Sequence, residues 1–128
     1  MAGYVGNIEG LTLANEYFRQ VLFTAPHSQL VVMCLQPSED IGVETHANVD
    51  QFFRVEEGEG KVVLNGEETL FKSGDAIVVS AGTEHNVFNT SAENKLKLYT
   101  IYSPANHKDG IIHKTKAEAM ADETDHVS

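Results

Sequence analysis

The dipeptide Asn65-Gly66, set between Lys61-Val62-Val63-Leu64 and the run from Glu67 to Phe71, constrains the fold more than any other feature of the chain. A two-residue loop that matches the twist of antiparallel strands needs positive φ at both positions, and Asn-Gly adopts that geometry at the least steric cost. A β-hairpin is therefore expected at the centre of the sequence. The same cadence of short strand-like runs and turn residues, repeating about every ten residues, extends to both sides of it. Residues 18–24 and 30–35 are separated by Pro26 and Ser28. Gln51-Phe52-Phe53-Arg54-Val55 runs into Gly58-Glu59-Gly60, Ser73-Gly74-Asp75 precedes Ala76-Ile77-Val78-Val79, and Ala81-Gly82 precedes His85 to Phe88. Residues 95–102 alternate polar and apolar side chains until Pro104. Eight or nine strands of this length suit an all-β fold, an antiparallel double-sheet jelly-roll barrel.

The two ends read differently. Residues 11–17 can form one helical turn with Thr12 and Asn15 as caps, and residues 1–24 are expected to be an N-terminal extension able to swap a strand in a dimer. Residues 25–104 form the barrel. Residues 105–128 are a tail with at most a short helix, because the last dozen residues carry Glu118, Asp122, Glu123 and Asp125 with almost no bulky apolar partner.

Composition narrows the function. Nine basic against nineteen acidic side chains leave a formal charge of −10, which repels phosphate backbones and anionic lipid, so neither nucleic acid nor membrane is an expected partner. No apolar run approaches the ~20 residues of a spanning helix. The start of the chain lacks a basic region followed by an apolar one, and a cytoplasmic location is expected. Cys34 is the only cysteine, so intrachain disulfides and multi-cysteine metal sites are excluded. It reads as a small buried core residue within an apolar run.

Any metal must then be held by His and oxygen ligands. Glu44-Thr45-His46 has the i, i+2 spacing that points two side chains to one face of an extended backbone. Gln51 heads the next strand, and His85 follows Gly82-Thr83-Glu84. If their strands are neighbours in a barrel, a carboxylate, two imidazoles and an amide meet at one point, a set suited to a divalent transition metal.

These residues resemble the two motifs of the cupin family. Glu44-x-His46, Gln51 and Gly58 fall at the spacing of the first; Gly74, Ser80, Gly82, His85 and Asn89 fall at marked positions of the second, with Ser80 where the family usually has proline. The likeness covers roughly residues 30–103. The whole chain is similar to small single-domain bacterial cupins described as mannose-6-phosphate isomerase-like, chiefly over residues 50–60 and 97–116. The resemblance implies a metal held by Glu44, His46, Gln51 and His85, of zinc, manganese, iron or nickel, and a homodimer. Most cupins have His-x-His followed by Glu, so the single carboxylate has moved here and two imidazoles remain.

Three functions are compatible with this set: a metal-dependent isomerase, epimerase or lyase acting on a small hydroxylated or carbonyl compound such as a sugar or sugar phosphate; a non-heme iron, oxygen-dependent oxidoreductase; or a non-catalytic metal- and small-ligand-binding module. The catalytic acid or base stays open among Glu84, Tyr99, Tyr102 and a tail histidine. Phe53, Val55, Ile77, Val79 and Val87 are expected to fill the barrel. Asp50 reads as a turn residue, and His107 and His113 as surface residues beyond the barrel.

Overall fold

The computed structural model describes residues 2–125. Asn65-Gly66 forms the predicted turn, with both residues at positive φ, between β4 (Glu59–Leu64) and β5 (Glu67–Lys72). The remaining strands are β1 (Arg19–Thr24), β2 (Gln29–Leu35), β3 (Asp50–Glu57), β6 (Ala76–Val79), β7 (His85–Asn89), β8 (Leu96–Ser103) and β9 (Ile112–His113). They form a six-stranded sheet in the order β6-β3-β8-β2-β1-β9 and a three-stranded sheet in the order β5-β4-β7. All pairings are antiparallel. The fold is the expected all-β jelly roll.

Alternation along β3 and β8 turns Gln51, Phe53 and Val55 inward against Tyr102, Thr100 and Leu98, their register partners. Val31, Met33, Leu35, Val62, Ile77, Val79 and Val87 complete the core. Each large apolar side chain removed from water in this way contributes on the order of 1.5–3 kcal/mol. The five residues expected to fill the barrel are all buried. One row of the large sheet carries polar side chains inward instead: Gln51 lies opposite Tyr102, and Tyr102 opposite Gln29.

β2 is buried on both faces because α1 (Ile8–Ala14) covers the outer one. The helix begins earlier than the sequence suggests. Asn7 is its N-cap, its side chain accepting from the Gly10 amide at 3.1 Å, while Asn15 caps the opposite end. The buried Lys97 ammonium donates to the Leu13 carbonyl in the last turn. Cys34 is buried as expected, and loss of solvation pushes its thiol pKa up, away from the reactive thiolate. β1 pairs with β2 and β9 of its own chain, so residues 19–24 are a strand of the large sheet.

The C-terminal segment holds the short helix expected of it, but it is tied to the barrel by buried polar groups. Thr115 and Glu118 make a capping box that starts α2 (Lys116–Ala121), and beyond the helix Asp125 is 1% exposed. His107 and His113, read from sequence as surface residues, are buried too. The Gln29 side chain draws residues 106–107 inward, donating to the His107 carbonyl at 2.7 Å and accepting from the amides of Asn106 and His107. His107 Nδ1 then donates to Asp125 Oδ2 at 2.6 Å, and Asp122 accepts from His113 Nε2 at 3.1 Å. Two Asp–His pairs dock the segment, together with Ile111 and Ala119 packed against the core.

Candidate metal centre

The segment before β3 brings the two sequence motifs together. Residues 40–44 lie beside β7 through the bridges Asp40↔Phe88 and Glu44↔His85, the latter with reciprocal backbone hydrogen bonds of 2.9 Å. This pairing sets the Glu44 side chain near that of His85. His46 is not within a strand; its carbonyl accepts from the Gly82 amide at 2.8 Å, which ties it to the turn before β7. Glu44, His46 and His85 each offer a ligand atom, and these atoms all lie within 4.8 Å of one another. The two imidazole centroids are 5.4 Å apart.

The surroundings fit a cation. His85 Nδ1 faces the Thr83 carbonyl at 2.9 Å, which places the proton on Nδ1 and leaves Nε2 as the basic nitrogen, the usual arrangement behind a ligating histidine. Gln51 is 3% exposed and its amide nitrogen donates to Thr100 Oγ1 at 3.0 Å. That bond fixes the amide orientation, and Gln51 Oε1 is a buried acceptor with no hydrogen-bond partner. An orphaned carbonyl oxygen of this kind is costly unless something electropositive meets it. The triad can hold a metal ion. Asp50, read from sequence as a turn residue, is instead the exposed first residue of β3, paired with Ser103, and its carboxylate accepts from the Ala81 amide of the turn before β7 at 2.8 Å.

Behind the triad lies a hydrogen-bonded chain that sequence reasoning only partly foresaw. The Tyr102 ring meets His46 edge-on at 6.1 Å, and its hydroxyl lies 3.1 Å from His107 Nε2. With Asp125 ionised, the His107 proton resides on Nδ1, so Nε2 accepts from Tyr102. Burial raises the Tyr102 pKa, reinforced by the negative charges of Glu44 and Asp125 and opposed by Arg19. The phenol is a neutral donor. Burial would raise the Asp125 carboxyl as well, but the hydrogen bonds from His107 and the Lys108 amide, with the charge of Arg19, hold it below the ordinary value. Of the other acid–base candidates, Glu84 is exposed and Tyr99 packs beside Phe52, away from the triad. The signal for Tyr102 was its inward phase on β8; nothing local announced Asp125.

The cupin domain model matches residues 31–102, more than half the chain and the span that holds both halves of the triad. The chain belongs to the cupin family. This cupin is 47% identical over 127 residues to the uncharacterized protein YrkC of Bacillus subtilis, covering 94% of this chain and 67% of the relative. It is 46% identical over 113 residues to the uncharacterized protein L612 of Acanthamoeba polyphaga mimivirus, covering 85% and 70% respectively. The crystal structure of BH2720 from Bacillus halodurans superposes with a TM-score of 0.90 at 45% identity, over 93% of this chain and 94% of the other. Among the described residues no helix is long and apolar enough to cross a membrane.

Proposed function

We propose that this cupin is a metal-dependent isomerase, epimerase or lyase acting on a small hydroxylated or carbonyl compound of the sugar type, with Glu44, His46, His85 and Gln51 as the metal ligands. The observation that carries the reading is the convergence of one carboxylate and two imidazoles within 4.8 Å. Zinc, manganese, iron and nickel all accept such a set. A bound divalent ion supplies Lewis-acid polarisation and a template for adjacent substrate oxygens.

The chain's own residues supply the rest. Glu44 contributes one negative charge and the other three ligands none, which leaves about one unit of positive charge facing the substrate. Tyr102 packs edge-on against His46 while its hydroxyl donates to His107, and this fixes the ring beside that ligand. Phe53, Val79 and Val87 exclude water around the polar row. The likeness to mannose-6-phosphate isomerase-like cupins agrees with a sugar-type substrate. A homodimer in the cytoplasm completes the proposal.

A second reading rests on the triad itself, since two histidines and one carboxylate are also the ligand class of non-heme iron oxygenases. Elemental analysis of untagged protein purified without chelator, followed by substrate screens with and without oxygen, separates the two. Zinc or manganese with turnover under anaerobic conditions supports the isomerase reading; iron with oxygen uptake replaces it by the second. A parent protein that takes up no metal even on reconstitution refutes both.

A further inference from the structure

A cavity of about 200 Å³ is bounded by Phe18, Arg19, Ile41–Glu44 and the α2 residues Lys116, Ala119 and Met120. Glu44 thus belongs to both the metal triad and the cavity wall. The other charged residue of this wall that the proposed chemistry leaves unused is Arg19. It sits on the inward phase of β1 and is only 5% exposed. None of the ion pairs among the described residues involves it. Its Nη1 lies 3.4 Å from His113 Nδ1, its guanidinium lies 5.2 Å from the centroid of the Phe18 ring, and its Nε is buried without a hydrogen-bond partner. Asp125 feels its charge through the interior without forming an ion pair with it.

A guanidinium stays charged at every physiological pH, and burying one with donors unused is expensive unless an anion completes it. Its orientation is nevertheless fixed. His113 Nε2 donates to Asp122, which leaves Nδ1 as an acceptor for Arg19. The larger cavity elsewhere, about 600 Å³ and lined by Glu16, Lys95 and Lys97, offers no comparable opening, because both lysines already pair with Glu16.

We propose that Arg19 is the anion-recognition residue of this site, and that the ligand is a small oxygen-rich carboxylic acid whose carboxylate pairs with Arg19 while its neighbouring oxygens face the triad. The inference rests on the metal-site reading and specifies its substrate class. A carboxylate fits better than a phosphate monoester on charge. Lys116, the other cation of the cavity wall, is already paired with Asp40, so one buried positive charge is available where a phosphate brings nearly two negative ones. The planar fork of arginine matches the two carboxylate oxygens.

The test is calorimetric titration of the metal-loaded protein with D-gluconate, D-glucitol and D-glucitol 1-phosphate, which share one carbon skeleton and differ at C1. Gluconate is expected to bind at least about tenfold tighter than glucitol, as a charge-assisted hydrogen-bond pair implies. In Arg19→Gln this margin disappears while metal content and melting temperature hold; in Arg19→Lys, which keeps the charge and loses the fork, it shrinks by at least about threefold. If Arg19→Gln does not fold, Arg19→Lys alone decides. Gluconate binding no tighter than glucitol overturns the proposal, as does tighter binding of the phosphate. An unchanged margin in the Arg19 variants also overturns it, because the carboxylate then sits on the metal. A parent that takes up no metal refutes the metal reading alone, and a gluconate margin that persists in that protein and depends on Arg19 sustains the anion subsite.

Discussion

Replacing Asp125 with alanine removes a residue near the end of the chain, yet it is expected to be among the more destabilising single substitutions in the molecule. Asp125 Oδ2 accepts from His107 Nδ1 at 2.6 Å and Oδ1 from the Lys108 amide at 3.2 Å. The Lys108 amide retains the Asp125 backbone carbonyl at 2.8 Å, so its loss is partial. The His107 Nδ1–H loses this acceptor in a side chain with no exposed surface. A hydrogen bond to a charged group contributes about 1.5–3 kcal/mol, and the weakened Lys108 contact adds to it. Allowing for partial rehydration of the cavity, about 3 kcal/mol is expected, or roughly 10 °C in melting temperature for a domain of this size. Circular-dichroism melts and guanidinium titrations at neutral pH measure it. The folded-state carboxyl lies below its ordinary value of 3.8, so its stabilisation is complete above about pH 4 and fades as the pH falls towards the folded value. The gap between parent and variant should therefore narrow on acidification. A neutral-pH loss under about 1 kcal/mol, or a gap that widens in acid, would refute a docked C-terminal segment.

Other expectations follow from the same geometry. His46→Ala and His85→Ala should each lose the metal, while Cys34→Ala, buried on the other face of β2 and away from the triad, should retain it; equal metal content in all three by elemental analysis sinks the ligand assignment. Gly60→Ala should destabilise the small sheet by about 1–3 kcal/mol, because a Cβ there would stand 2.6 Å from Phe71 Cζ and collide with the Phe88 backbone carbonyl. A chemical-denaturation midpoint matching that of the parent would show that β4 and β7 can separate to accept it.

The strands of the barrel were legible in the sequence because each is signalled locally. Asn65-Gly66 specifies its own turn through two positive φ angles, and inward alternation along β3, β6 and β8 follows from a backbone period of two. The triad was legible at one remove: the spacing of Glu44 and His46 allows them to share a site, but only the bridge between Glu44 and His85 brings the two motifs to one place. Helix α1 was displaced in the reading because Asn7, among glycines, was a less conspicuous cap than Thr12 or Asn15.

What the chain determines by itself is therefore the fold class and the kinds of ligand available, since turn chemistry, strand alternation and side-chain type are properties of neighbouring residues. What only the tertiary structure decided is the setting of those ligands. His107 and His113, and the acidic residues Asp122 and Asp125, look like solvated tail residues in any window of sequence, and polar side chains in isolation belong in water. His107, His113 and Asp125 are buried, and Asp122 half-buried, because each finds its partner across the fold: Gln29 draws residues 106–107 inward, Asp125 completes His107 behind Tyr102, and Asp122 completes His113 behind Arg19. Hydrogen bonding between groups distant in sequence offsets their desolvation, and no local pattern encodes that compensation.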